Sequence, residues 1–140
     1  MTSWIQMPSP PLLHARSVPY LVDEVNLAEL RRYLDEARAN VVEVDMAGAT
    51  SVSDVIGAVR QALPFPEWCG LSWDSVEDAF EEIREAWRFP LVLILRGLPD
   101  LLRDRTHLGL ETVIRFNSLE ESFSLAGDQF VVVYAGTAWS

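Results

Sequence analysis

The spacing of apolar residues changes along the chain, and each change marks an element. Val76, Ala79, Phe80, Ile83, Ala86 and Trp87 recur at helical intervals, which predicts an amphipathic helix with one continuous buried stripe. Leu27, Leu30, Leu34 and Ala37 repeat the pattern behind Asn26-Leu27-Ala28-Glu29, a segment of capping-box form, and predict a helix through Ala39. Val52, Val55, Ile56, Val59 and Leu63 give a third helix, capped by Thr50 or Ser51 and ended by Pro64 and Pro66. Leu101-Leu102 suggests a short helical turn, and a longer helix is predicted from about Leu108 to Ala126, with Gly127 as its terminator.

Other stretches lack the helical period. Val41 to Met46 is rich in β-branched residues and leads to Gly48, as a strand leads to a turn. Leu91-Val92-Leu93-Ile94-Leu95 is unbroken apolar sequence, the mark of a strand covered on both faces, and Phe130 to Tyr134 is similar. Three strands separated by helices predict an α/β fold with a small three-stranded parallel sheet. Tyr20-Leu21-Val22 is a weaker strand candidate, and Pro8, Pro10, Pro11 and Pro19 make the segment before it an arm or an edge strand. At 140 residues the chain has the length of one domain. Residues 1–40 read as an arm plus helix packed on a domain of residues 41–140, away from the 76–87 helix, with room for a short extra strand beside the sheet.

The polar face of the 76–87 helix is nearly all carboxylate. Asp74 and Asp78, Glu77 and Glu81, Asp78 and Glu82, and Glu81 and Glu85 each stand four residues apart, and every such pair opposes an isolated helix by roughly 0.2–0.5 kcal/mol. Helix stability does not select that pattern. Ser72 is placed to cap the helix, with Asp74 in its first turn. Ahead of it, Trp68, Gly70 and Trp73 form an aromatic loop around a residue free to take backbone conformations closed to others. A solvated acidic face is the ordinary meaning of such a helix. Rigid aromatics beside a dense carboxylate patch instead have the composition of a protein-recognition surface.

Charge sharpens this reading. Eleven Lys and Arg against 21 Asp and Glu give a net charge of −10, which repels nucleic acid and anionic membranes and favours a cationic partner. The single cysteine, Cys69, excludes an intramolecular disulfide and suits a reducing compartment. No activating base lies near it, so it reads as a packed loop residue. No stretch approaches the ~20 apolar residues of a membrane span and no secretory leader is evident, so a cytoplasmic protein is expected. An enzyme built on Asp74 and Asp78 would need a concave pocket that drives their pKa values apart, and an exposed helix face supplies none. A cation site from Asp74, Asp78 and Glu81 draws too few oxygens from one side of a regular helix. His14 and His107 are too far apart in sequence to suggest a ligand pair. No catalysis, cofactor or metal is expected.

Leu63-Pro64-Phe65-Pro66-Glu67-Trp68-Cys69-Gly70 resembles the loop of proline, glutamate, two aromatics and glycine in the barstar-like ribonuclease inhibitors. Trp73-Asp74-Ser75-Val76-Glu77-Asp78 is similar to the family's pair of aspartates four residues apart, and Phe89-Pro90-Leu91-Val92-Leu93 to its proline-led strand. The likeness runs from about Val41 to Ala135, leaving the first 40 residues as an extension. It implies a three-stranded parallel sheet flanked by helices, free as a monomer, that covers the active site of a small basic ribonuclease. By position, Asp78 corresponds to the carboxylate that occupies the nuclease's phosphate site. Asp74 corresponds to the aspartate that meets a nuclease arginine, Trp68 to the leading loop aromatic and Gly70 to the loop glycine. Ser72 and Trp73 fall at two further contact positions, and Glu77 and Glu81 complete the candidate surface. Glu77 stands where a family tryptophan is found, and Cys69 where a second loop aromatic is found. Glu120 and Glu121 both fall near a contact glutamate of the last helix. These departures leave a second partner class open, another nuclease toxin or basic protein bound by the same scaffold.

Overall fold

The computed structural model describes residues 4–8, 10, 12, 13 and 18–137. Four parallel strands, β1 (Tyr20–Asp23), β2 (Asn40–Asp45), β3 (Leu91–Arg96) and β4 (Phe130–Gly136), form one sheet in the order β1-β4-β3-β2. The sheet therefore has one strand more than the three the sequence predicts. Tyr20–Asp23 aligns with Val133–Gly136 and adds an edge beyond β4. It takes in Tyr20-Leu21-Val22, the weaker strand candidate of the sequence, and is the short extra strand expected of the N-terminal segment.

The two central strands explain the layers. Along β3, Leu91, Leu93 and Leu95 enter one apolar cluster while Val92 and Ile94 enter another. Along β4, Phe130, Val132 and Tyr134 take the first side, and Val131, Val133 and Ala135 the second. Side chains alternate across a sheet, so an unbroken apolar run needs cover on both faces. The first face is covered by α2 (Val52–Ala62), α3 (Trp73–Asp78), α4 (Phe80–Ala86), α5 (Leu98–Asp104) and α6 (Thr106–Leu125). The second is covered by α1 (Leu27–Glu36), through Leu30 and Leu34, together with Leu13 and Val22. The arm is pinned there by polar contacts. The Gln129 side chain accepts from the Ile5 N–H at 2.7 Å and donates to the Ile5 carbonyl at 2.9 Å, and the Tyr33 hydroxyl donates to the Gln6 carbonyl at 2.6 Å. At the far end of β3, Arg96 pairs with Glu24 at 3.0 Å and Glu43 at 3.4 Å, joining the segment after β1 to β2.

Helix ends differ from the expected ones for local reasons. The first helix stops at Glu36 rather than Ala39, because Arg38 takes a left-handed φ of 63° and the Ala39 N–H turns back to the Leu34 carbonyl at 3.0 Å. The last begins at Thr106 and ends as expected before Gly127, whose φ of 93° lets the Asp128 N–H reach the Phe123 carbonyl at 2.9 Å. The predicted 76–87 helix starts earlier, at Trp73, and is interrupted at Ala79, where ψ opens to 4°. No helix among the described residues is long and apolar enough to cross a membrane.

Cavity energetics give a direct check on the two-sided core. Leu34 is fully buried on the second face, so Leu34→Ala should lower the unfolding free energy by about 2–5 kcal/mol. Leu125, 84% exposed, should change it by less than about 0.5 kcal/mol when cut to alanine. Urea denaturation of the two variants measures the contrast.

Candidate protein-recognition site

Between α2 and α3 the chain crosses the surface as an irregular loop, and its carbonyls are gathered by one side chain. The Arg60 guanidinium donates to the carbonyls of Cys69, Glu67 (3.2 Å) and Pro66 (3.4 Å). The Trp87 indole N–H donates to the Pro64 carbonyl at 2.8 Å, and Phe65 meets the Trp87 ring edge-on at 5.8 Å. Cys69 points inward and is buried, which pushes its thiol pKa up; the Arg60 charge opposes this and the Asp78 carboxylate adds to it. A thiol held protonated is a packing group, consistent with its reading as a loop residue.

On this frame the sequence-predicted residues fall into two groups. Trp68 is 58% exposed and is held over the acidic helix by its indole N–H, which donates to Glu82 Oε1 at 3.2 Å and Oε2 at 3.3 Å. Ser72 caps α3 through the Ser75 N–H at 3.1 Å, and Asp74 is exposed in the first turn. Asp78 is exposed as well, and neither aspartate makes an ion pair or hydrogen bond among the described residues. Glu77 is exposed and reaches Arg115 of α6 at 3.4 Å; Glu81 reaches Arg84 at 3.2 Å. Arg84 is shared with Asp128 at 2.8 Å, which raises its pKa and keeps it anchored below the acidic face.

Trp73 and Gly70 depart from the expectation. Trp73 is only 7% exposed and packs edge-on against Phe116 at 5.1 Å, so it supports the site from beneath and offers no exposed ring. The signal was present in the sequence: Trp73, Val76, Phe80, Ile83 and Trp87 are spaced three, four, three and four residues, which extends the buried stripe back to Trp73. Gly70 does not take a left-handed conformation. Its constraint is proximity, since a Cβ there would stand 3.0 Å from Ser75 Oγ. The interruption at Ala79 places Asp74 and Asp78 on α3 and Glu81, Glu82 and Glu85 on α4, so the carboxylates do not share one regular helical row. Arg60 and Glu82, which set the loop's shape, were not singled out by sequence. Glu82 was one charge among several, and a lone arginine near the end of a helix carries no pattern.

Of the two candidate glutamates on α6, Glu121 is exposed and Glu120 is buried. Glu120 follows Phe116 by four residues and precedes Phe123 by three, which puts it on the buried face. Desolvation lifts its pKa from 4.5 to about 8, opposed by a hydrogen bond accepted from the Val132 N–H at 3.4 Å. That amide lies on β4 just before the stretch paired with β1.

The folded state therefore keeps a proton on Glu120 that the unfolded chain releases near pH 4.5. Its contribution to stability is fully present below pH 4.5, declines by about 1.4 kcal/mol per pH unit, and levels off above about pH 8. Glu120→Gln, which keeps an acceptor for Val132, should flatten this slope and stabilise the fold at neutral pH by a few kcal/mol on the order set by the same linkage. Thermal unfolding of both proteins from pH 4.5 to 9 checks it. Glu82→Ala should release the Trp68 ring while leaving the fold intact, seen as a red-shifted, more quenchable tryptophan emission with an unchanged far-ultraviolet spectrum.

Comparison with curated proteins finds no match. Comparison with family models matches residues 39–135 to Barstar (barnase inhibitor). The match begins just before β2, takes in the Arg60-held loop, α3 and α4, and ends within β4, leaving β1 and α1 outside it. It spans more than two-thirds of the sequence, and the chain belongs to the barstar family.

Proposed function

We propose that the protein is an inhibitor of a small basic ribonuclease, whose active site it blocks with the loop and the acidic helix pair α3–α4. The observation that carries this reading is the state of Asp74 and Asp78: two exposed carboxylates without ion-pair or hydrogen-bond partners among the described residues, beside a loop whose backbone is already held in place. A ribonuclease site collects cations to neutralise a phosphodiester, so a fixed carboxylate can take the phosphate's place. Membership of a family of nuclease inhibitors supports the same reading. The mechanism is occupancy. Trp68 supplies an aromatic contact, Asp78 enters the phosphate subsite, Asp74 meets a neighbouring arginine, and Gly70 and Ser72 let the loop lie close to the partner. Glu77 and Glu81, each already engaged with an arginine, contribute mainly to the field.

That field accelerates encounter. Complementary charge raises association from about 10⁵–10⁶ to about 10⁸–10⁹ M⁻¹s⁻¹ at low salt, a range to which the barnase–barstar pair itself contributed, so it is not an independent result for this chain. Such an inhibitor acts inside the cell that makes the nuclease, as a free monomer that needs no cofactor. A second reading is immunity to a different nuclease toxin. It is favoured by Cys69, buried where the family carries a second loop aromatic, and by Glu77, tied to Arg115 where a family tryptophan stands. Both changes remove apolar contact area from the surface that chooses the partner.

The proposal predicts stoichiometric loss of activity when the protein is titrated into a susceptible member of a panel of small basic ribonucleases. Within that complex, Asp78→Ala should cost about 2–5 kcal/mol, mostly as faster dissociation, because it strands buried cations on the nuclease; barnase–barstar is again among the measured cases. Glu85→Ala should cost only about 0–1 kcal/mol. Kinetic binding measurements at two salt concentrations separate the two. Equal small losses would reduce the acidic face to a diffuse field and end the position-by-position assignment.

A further inference from the structure

On the opposite side of α6 from the acidic helices, the N-terminal arm, β1 and α6 line a half-open cavity of about 580 Å³. That lies within the usual range of small-molecule sites, roughly 300–1,000 Å³. Its apolar walls come from Trp4, Val18, Tyr20, Leu125 and Phe130, and Trp4, Val18 and Leu125 are exposed. Among the described residues its charged lining is of one sign. Glu120, Glu121 and Asp128 face it, and no lysine or arginine does among the described residues.

Two polar atoms in the wall lack partners among the described residues. Glu120 Oε1 and Asn117 Oδ1 are buried and make no hydrogen bond, although Glu120 as a whole is more than nine-tenths buried. Such atoms are uncommon in native structures and each costs about 1–3 kcal/mol. Among the described residues, the Glu120 carboxyl has one hydrogen bond, accepted from Val132 through Oε2.

We propose that this cavity binds a small organic cation, an alkyl or aryl amine or guanidine, whose apolar body packs among Trp4, Tyr20 and Leu125 and whose N–H groups are received by Glu120 and Asn117. The sign of the lining selects a cation over an anion, and the aromatic rings of Trp4 and Tyr20 suit one as well. The terminal torsion of a glutamate is soft, so the unpartnered oxygen can turn toward the cavity without moving the helix. Burial favours the neutral form of the Glu120 carboxyl, lifting its pKa to about 8. Arrival of an ammonium group makes the carboxylate the favoured form: the carboxyl proton leaves to solvent, the ligand keeps its own, and an ion pair remains. The site uses Trp4 and Tyr20 of the segment outside the family match, and it does not depend on the nuclease reading.

The test is calorimetric titration of the full chain at pH 7 with 2-phenylethylamine and with 2-phenylethanol, in buffers of different ionisation enthalpy. The amine should bind at least tenfold more tightly than the alcohol and release close to one proton per molecule bound. Glu120→Gln should lower amine affinity at least tenfold and abolish proton release, and Asp78→Ala should change neither. Absence of amine binding, equal affinities for amine and alcohol, or amine binding that persists in Glu120→Gln would overturn the proposal.

Discussion

Everything else in the structure depends on the two-sided burial of β3 and β4. Alternate residues of these strands feed separate apolar clusters, so neither strand has a face it can leave in water. The helices from α2 to α6 cover one side, and α1 with Leu13 and Val22 covers the other. The segment outside the family match therefore supplies the cover of one of the sheet's two faces. Without it, Val92, Ile94, Val131 and Val133 would form a continuous apolar patch. Polar contacts at both ends of that segment, from Gln129 to Ile5 and from Arg96 to Glu24, hold the cover in place.

The recognition surface draws its rigidity from this core. Carboxylates four residues apart oppose a helix, and α3 is only six residues long. It persists because Trp73, Val76 and Ala79 are buried beneath it, and because Ile83 and Trp87 anchor α4 against Phe123, with Trp87 and Phe123 stacked at 5.5 Å. Packing thus supports a local arrangement that electrostatics disfavours. Arg60 and Glu82 do the corresponding work for the loop, the first by collecting its carbonyls and the second by holding Trp68. A surface already ordered in this way loses less conformational entropy when a partner arrives.

Glutamate serves two opposite purposes on the two sides of α6. On α3 and α4 the carboxylates lie exposed at the surface. Glu120 is withdrawn beneath the arm and β1, where desolvation favours its neutral form. Helical register selects which glutamate of α6 is covered, since its neighbour Glu121 is exposed. One position along a helix rotates a side chain by about 100°, enough to separate solvent from core.

The elements, the acidic face and the Ser72 cap were legible in the sequence, because period and charge are written residue by residue. Apolar runs without alternation announced two covered strands, and the loop and aspartate pattern pointed to the barstar family. Other features belong to tertiary structure. The place of β1 in the sheet, beside β4, and the partner of Trp73, the Phe116 ring, are fixed by contacts between distant segments. Gly70 is constrained by the approach of Ser75, not by its own backbone angle. The loop's shape comes from Arg60 on α2 and from Trp87, the residue that ends α4. Periodicity shows which face of an element is apolar. What that face meets, and which carboxylate is left facing a cavity, depends on contacts between residues distant in the chain, and those are decided only when the layers close on one another.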